Sequence, residues 1–549
     1  MRTVAQTGGR YQHPLLPAEL QEEYRRNGLW EGRTLAGIVE EWARRDPDRT
    51  AVTGPRRLTY GELWDQSRRL AGSLAAAGLE PGEFLLALMS SSWQGVVLEV
   101  AANVAGAVFT PRSPHLSPVG VQTLFDQLDV RGLILNADLL EKDEWQAVLP
   151  ELRERLGNGL LLVQGEIPAG SGLASLPTLE EVAATGPLMD PVELDPGAPC
   201  LVLSTGGTTG RPKSIVHCSE TSVYAARQFG LATDYSEKDV QVAFMPYGHA
   251  GGSIFDIYMP LLYGASILPI ARWQALPVGE IISRWGGTYF ITMGTHVFDM
   301  LRLGSEADHL FRSVRLITSG AGPDELYENG EKRFCFPIVR VYGCSECPGH
   351  AIGRPSDPGE LRWHRDGVPF PGVEYRLVDV ATGQPAQSGR PGEYQCRGPN
   401  LFMGYHGEPE LTAQAVTQNG FYRSGDLMVQ SGDGYVTWAG RTKDIIRRGG
   451  LQIDPIEMEN ILAGHPQVSE VVIVGEPDPR LGERAAIVAV ATDPTSPPTL
   501  EELCGFLVGN GIPKQNLPEK LVLPSSIPLT ELGKFHRVEV KRRLVEGTL

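Results

Sequence analysis

Cysteine is scarce. The 549 residues hold seven, an odd number scattered along the chain. That excludes a disulfide framework and points to a reducing compartment. Long apolar runs are missing too. The strongest are broken by Glu99 and Asn103, and by Asp256 and Pro260, so none spans a bilayer. The stretch Met1-Arg-Thr-Val-Ala-Gln-Thr-Gly-Gly has no apolar core of the kind a secretory signal needs. Basic charge is in deficit: 49 Lys and Arg face 66 Asp and Glu, a net charge of −17. Such a surface does not attract nucleic acid or an anionic membrane non-specifically, but it leaves room for a local basic pocket around a small anion. There is no internal repeat and no low-complexity tract. The expectation is a cytoplasmic protein.

What is present is ordinary for a globular chain: 42% hydrophobic and 21% charged residues, over a length that calls for two to four domains. Strand-like and helix-like patterns alternate early. Leu58 to Ala77 has helical spacing, Phe84–Met89 reads as a buried strand, Val96–Val104 as a helix and Ala107–Thr110 as the next strand. Similar strand patterns recur at 266–270, 289–292 and 314–318. This alternation implies an α/β domain with a mostly parallel sheet. From about Gly359 short strands (373–378, 392–397) sit between Pro/Gly turns, which reads as a smaller β-rich subdomain. Beyond Gly440 a charged segment leads to a helix at 455–463, strands at 470–474 and 485–490, and a helix near 500–507. That tail can form a compact α+β domain.

Five segments carry candidate chemistry. Ser204-Thr-Gly-Gly-Thr-Thr-Gly-Arg-Pro-Lys213-Ser214 follows the apolar run Cys200–Leu203. Glycine lets backbone N–H groups approach a polyphosphate, hydroxyls add hydrogen bonds and lysine neutralises charge. Pro212 stands where the common NTPase loop needs a glycine, so that pattern does not apply; a flexible linker is the competing reading. Tyr342-Gly-Cys-Ser-Glu346 follows a strand at 338–341, where a carboxylate can hold Mg²⁺ and a tyrosine can stack on a base. A plain β-turn is the alternative. The same segment contains Cys344-x-x-Cys347 and His350, but no second Cys/His pair at metal spacing, so no zinc or redox site is expected. Phe421-Tyr-Arg-Ser-Gly-Asp426 ends in an acidic residue read as lying in a tight turn, with Arg441 downstream; Asp can take ribose hydroxyls and Arg can add a charge-assisted bond. Arg441–Gly450 is a charged linker ending in glycine, suited to a hinge. Pro528–Arg537 places Lys534 in a loop, where lysine is ordinarily solvated.

Taken in order, with Pro246-Tyr-Gly-His249, these segments resemble the acyl-adenylate-forming superfamily of acyl-CoA and aryl-CoA ligases, peptide-synthetase adenylation domains and luciferases. The resemblance covers nearly the whole chain and includes Glu470–Glu483, which is similar to the family's C-terminal strand–loop–strand. It implies an α/β fold: a large N-terminal domain (1–440) with two mainly parallel sheets and a β-rich subdomain at about 360–440, a hinge at 441–445, and a small mobile α+β lid at 446–549. It also implies an enzyme, most like an AMP-forming acyl-CoA ligase, using ATP, Mg²⁺ and coenzyme A. A carboxylate would attack the ATP α-phosphate and expel pyrophosphate; a thiol would then displace AMP.

By the same resemblance, Lys534 bridges carboxylate and α-phosphate, a step that joins two anions and needs concentrated positive charge. Thr205, Gly206, Gly207, Thr208, Thr209, Gly210 and Lys213 hold the β- and γ-phosphates, and Glu346 the Mg²⁺. Tyr342 with Gly320, Ala321 and Gly322 frames the adenine, Gly343 and Ser345 complete the nucleotide site, Asp426 binds the ribose and Arg441 assists. His249 stands with Lys534 and Glu346 among the catalytic residues. Lys443 is at the hinge position, and Gly449 and Gly450 line the pantetheine tunnel. Ala250, Gly251, Gly252 and Cys344 belong to the acyl pocket.

Relatives that activate amino acids place an Asp just after the His249 position, and those that activate hydroxybenzoates often place an Asn. Ala250 and two glycines stand here, and Phe255-Asp256 is out of register. The substrate implied is a non-amino acid, bulky or cyclic and apolar, in a roomy pocket. Gly206 and Ser214 depart from the family's common Ser and Gly, which leaves open an enzyme performing mainly the thioesterification half-reaction. A carrier-protein phosphopantetheine is the alternative acceptor. A nucleotide-binding scaffold and a luciferase-like oxygenase are the readings from other classes.

Overall fold

Thr59 opens the first long helix. Its hydroxyl accepts from the Glu62 amide and Glu62 returns the bond, a capping box that starts Tyr60–Ala76. Ser92 caps Trp93–Val104 in the same way, without the reciprocal glutamate. Between them Phe84–Leu88 is a strand with every residue buried. This is the pattern of a parallel sheet covered by helices on its faces. The computed structural model describes residues 10–549 except 158, 166, 168–175, 206–212, 321, 323, 449–450 and 531–533.

Among the described residues the strands form four sheets. The first runs Gly404–Tyr405, Lys213–Cys218, Pro199–Thr205, Val108–Arg112, Phe84–Leu88, Val130–Asn136, Leu160–Gln164. It is parallel from Pro199–Thr205 outward. The pair that flanks the Gly-rich loop is instead antiparallel, with Ser204 opposite Ser214 and Thr205 opposite Lys213. The strands on either side of the Gly-rich segment thus pair with each other, where a crossover would lead from strand to helix.

The second sheet orders Val368–Pro369, Cys347–Ile352, Ile338–Cys344, Leu316–Ser319, Tyr289–Thr292, Val240–Ala243, Ser266–Pro269, Thr50–Val52, Leu58–Thr59. Its centre is parallel and its two ends are antiparallel. One continuous apolar core joins these first two sheets. The third sheet is a four-stranded antiparallel meander, Glu374–Val378, Gly392–Arg397, Tyr422–Gln430, Val436–Arg441.

The fourth sheet begins at Ile446–Arg448 and is built on the long antiparallel pair Val468–Asp478 and Gly482–Ala491. Side chains alternate across it. Val471, Ile473 and Ile487 face the helices Pro455–Ala463 and Leu500–Gly509, while Val472, Ala486 and Val488 face the helix Arg537–Glu546. Among the described residues no helix is long and apolar enough to cross a membrane.

Candidate active site

The strand Pro199–Thr205 delivers the Gly-rich loop, and two contacts fix its base. The Ser204 amide donates to the Gly248 carbonyl at 2.8 Å, tying the loop to the segment that carries His249. Arg112, buried under the hairpin, donates to Val202 O at 2.9 Å and to Ser214 Oγ at 3.2 Å. Burial draws the Arg112 pKa down to about 10. Ser214, one of the two departures from the common family form, is therefore the partner of a buried guanidinium. Neither Arg112 nor this role is visible in local spacing. Gly206, Gly207, Thr208, Thr209 and Gly210 lie outside the described residues, as does the Thr205 side chain.

Lys213 ends the loop with its ammonium 4.7 Å from the centre of the Tyr405 ring. The Tyr405 hydroxyl donates to Glu346 Oε1 at 2.7 Å. Tyr405 thus connects the two anion- and metal-binding candidates, a link invisible in local spacing. Glu346 sits at the turn between the antiparallel strands Ile338–Cys344 and Cys347–Ile352. His217 braces that turn from below: its Nε2 lies 2.7 Å from the Ser345 carbonyl. A carbonyl only accepts, so the proton is on Nε2. Burial pulls the His217 pKa down to about 4, which keeps the ring neutral. The Phe402 amide donates to the Glu346 carbonyl at 2.8 Å. The Ser345 hydroxyl is buried and has no partner among the described residues.

Asp426 lies inside the strand Tyr422–Gln430, not in a tight turn. The preceding Gly425 adopts φ +68°, a left-handed kink that looks like a turn in sequence and folds as an irregularity within a ladder. Its carboxylate is buried and heavily used. Oδ1 accepts from Arg441 Nε at 3.0 Å and Trp438 Nε1 at 3.3 Å; Oδ2 accepts from the Tyr342 hydroxyl at 2.9 Å. Each carboxylate oxygen takes about two donors, so the free capacity is on Oδ2. Burial and Asp426 together hold the Tyr342 phenol well above its usual range.

The fourth group comes from the C-terminal sheet's side of the molecule. Lys534 keeps solvent contact along its side chain. Desolvation first, then the Arg441 charge, draws its pKa down to about 8, against the opposing pull of Asp426 and Cys344. His249 feels Lys534 in turn; burial first, then this charge, lowers it to about 4. The His249 Nδ1 accepts from the Gly251 amide at 3.2 Å. Lys443 is also perturbed downward, by burial and then Arg441, with Lys213 contributing. Four cationic side chains from three parts of the chain therefore gather around Asp426 and Glu346, in a protein whose net charge is −17.

Residues 39–406 match the model of the AMP-binding enzyme, and residues 457–534 match that of the AMP-binding enzyme C-terminal domain. The chain belongs to the AMP-binding enzymes. The medium-chain fatty-acid–CoA ligase of Escherichia coli strain K12 is 30% identical over 545 residues, covering 95% of this chain and 93% of that protein. The salicyl-AMP ligase / salicyl-S-ArCP synthetase of Mycobacterium tuberculosis is 30% identical over 551 residues, covering 96% and 94%. The ATP-bound structure of MatB from Rhodopseudomonas palustris has the same fold, with a TM-score of 0.84 at 21% identity, covering 94% of this chain and 100% of that one.

In this AMP-binding enzyme the segment after His249 is a π-helix, Gly251–Tyr258, a form often found at functional sites. Its glycines have a packing reason. A Cβ on Gly252 would stand 2.2 Å from the Pro246 carbonyl oxygen, and one on Gly251 would press against Met245. They let the helix fold back on its own loop, so their small size is no measure of pocket volume. Ala250 is buried beside them. Asp256 faces the protein: it accepts from Gln241 Nε2 at 2.8 Å and the Met245 amide at 3.0 Å. It is not placed to hold a substrate amine.

Gly320 and Gly322 end the strand Leu316–Ser319 in tight quarters. The Gly320 amide donates to Thr292 O, its carbonyl accepts from Tyr327, and a Cβ on Gly322 would meet the Tyr327 hydroxyl at 2.5 Å. Ala321 lies outside the described residues, as do Gly449 and Gly450. Gly343 packs backbone to backbone, its Cβ position 2.9 Å from the Gly349 amide. Cys344 is half-buried opposite Cys347. The sequence offers Cys344, Cys347 and His350 with no fourth ligand at metal spacing; in the fold Cys396, from the neighbouring sheet, brings its sulfur to Cys347 and His350. Just past Lys534, Arg537 pairs with Glu459, donates to Ile473 O at 3.0 Å and lies 3.7 Å from Asp444.

Proposed function

We propose that this enzyme is an AMP-forming acid–thiol ligase that activates a non-amino carboxylic acid as its acyl-adenylate and transfers the acyl group to CoA. What carries the reading is Lys534, of the C-terminal domain, whose charge is felt at His249 and which itself responds to Arg441, Asp426 and Cys344. Acyl-adenylate formation joins two anions, and a cation held between a ribose-binding carboxylate and an acyl pocket is what that step requires. Lys213 would face the β- and γ-phosphates, Tyr342 and the Gly320–Gly322 turn the adenine, and Oδ2 of Asp426 the ribose.

The residues present suit Mg²⁺. Glu346 supplies a carboxylate of which one oxygen is fixed by Tyr405, and the ion ordinarily takes one or two carboxylates together with substrate phosphates. Mg²⁺ bound there would neutralise phosphate charge. Rotation of the lid about Lys443, and passage of the thiol by Gly449 and Gly450, are carried over from the sequence resemblance.

A non-amino substrate is supported by what surrounds His249. Ala250 offers no counter-charge to an ammonium, and Asp256 is committed to Gln241 and Met245. The test is a panel of carboxylic acids with ATP and CoA, scoring pyrophosphate release and thioester formation separately. Strong activation of free amino acids would sink the reading. Carrier-protein loading is the second reading, favoured by the 30% identity to a salicyl-S-ArCP synthetase. Competition between CoA and a holo-carrier protein for one acyl-adenylate separates the two.

A further inference from the structure

Behind the turn that carries Glu346 lies a cluster that the adenylation reading does not use. Cys347 Sγ, a ring nitrogen of His350 and Cys396 Sγ all lie within 4.8 Å of one another. All three residues are buried, His350 completely. Cys347 and His350 sit on the strand Cys347–Ile352, Cys396 on the strand Gly392–Arg397 of the adjoining meander. The cluster therefore bridges two sheets.

Its geometry is that of a metal site. A tetrahedral ion with bonds of about 2.3 Å to sulfur holds its sulfurs about 3.8 Å apart. The Cys347 and Cys396 sulfurs are 3.7 Å apart, whereas a disulfide needs about 2.05 Å. His350 is the second, independent observation. Both of its ring nitrogens are buried without a hydrogen-bond partner among the described residues. A buried imidazole without a partner calls for one, and an ion would supply it. The rings of Tyr342 and Tyr394 stand edge-on to it, with centroids 6.2 and 5.1 Å away, and close the site to water.

The backbone is adapted to this arrangement. Residues three apart on a regular strand point to opposite faces. Gly349, at φ +52°, breaks the alternation between Cys347 and His350. A Cβ there would stand 2.7 Å from Phe255, so only glycine permits the bend. Cys344 faces Cys347 across the ladder, outside the cluster of three.

We propose that Cys347, His350 and Cys396 bind one structural Zn²⁺, with Cys344 turning its thiol away from the expected acyl pocket to serve as fourth ligand. Sulfur-rich tetrahedral donor sets with one imidazole select this ion over the hard cations. The ion staples the Tyr342–Glu346 turn to the meander that carries Asp426, so it rigidifies the nucleotide site.

The test uses the full chain produced in zinc-replete medium. Elemental analysis is expected to give about one zinc per chain, with X-ray absorption showing sulfur at about 2.3 Å and a nitrogen shell. The Cys396→Ser variant is expected to lose the metal, while Cys335→Ser, at an exposed cysteine, keeps it. The wild-type absorption spectrum needs no variant and stands even if Cys396→Ser misfolds. Metal-free folded wild-type protein after reloading, a shell of oxygen and nitrogen only, zinc retained by folded Cys396→Ser, or a Cys347–Cys396 disulfide found by mass spectrometry would each overturn the proposal.

Discussion

The Ser214 hydroxyl is the hydrogen-bond acceptor for the buried Arg112 guanidinium, at 3.2 Å. No carboxylate pairs with Arg112 among the described residues, and its remaining bonds go to the Pro111 and Val202 carbonyls. Ser214→Gly removes one of the few acceptors available to a buried cation. We expect a loss of about 1.5–3 kcal/mol in stability, read as a lower unfolding midpoint, with the KM for ATP little changed. A raised KM at unchanged stability would instead place the hydroxyl on a phosphate.

Lys534→Ala should slow pyrophosphate release by about 10²–10³-fold, as does loss of one donor at a developing charge. Thioester formation from supplied acyl-adenylate should be nearly untouched. Equal losses in the two half-reactions would contradict the role given to Lys534.

Desolvation and the Arg441 charge draw the Lys534 pKa down to about 8, below its ordinary value. The side chain is charged below that pH and neutral above it. The adenylation kcat/KM, which reports the free enzyme, should therefore be level below about pH 8 and fall through it. Lys534→Arg stays charged at all working pH values and should abolish this alkaline limb even if its plateau is lower. A wild-type profile still rising at pH 9 would show that another group controls the step.

Tyr405→Phe removes the 2.7 Å bond to Glu346 while keeping the ring under Lys213. Partners that orient a metal-binding carboxylate are worth about 10–100-fold in affinity or activity. The expected result is a higher Mg²⁺ concentration for half-maximal adenylation, with the acid's KM unchanged. An unaltered Mg²⁺ dependence would remove Glu346 from the metal site.

Gly252→Ala forces a methyl onto the Pro246 carbonyl. Overpacking of this kind is destabilising by about 1–3 kcal/mol. A lower unfolding midpoint with an unchanged order of acid preference is expected. Native stability with a narrowed acid range would restore Gly252 to the pocket wall.

Local patterns in the sequence were enough for the strands and helices from Phe84 to Arg112, because buried strands and amphipathic helices write their period into consecutive residues. The same holds for the helix Pro455–Ala463. Asp426 was misread because Ser-Gly-Asp is turn chemistry, and only the pairing of its strand with both neighbours reveals a ladder. Arg112, Tyr405, His217 and Cys396 could not be found by spacing. Each acts across more than forty residues of chain, on a partner that only the sheet order brings near. The glycines after His249 were visible as small residues, but the reason for their size, a π-helix folded onto its own entry loop, is a three-dimensional one.

The position of Arg537 has a mechanical meaning. Its guanidinium grips Glu459 and the Ile473 carbonyl, and it reaches Asp444, the neighbour of Lys443. Lys534 is only three residues away on the same strap. On the proposed reading, pivot and catalytic tip would be bolted to one frame, like the two ends of a crank. If the small domain turns about Lys443, Lys534 must swing with it through a fixed arc, with no slack to let the ammonium linger after the thiol has entered. Loosening the bolt at Glu459, far from any substrate, would blur the timing between the two half-reactions and leave the chemistry of each intact.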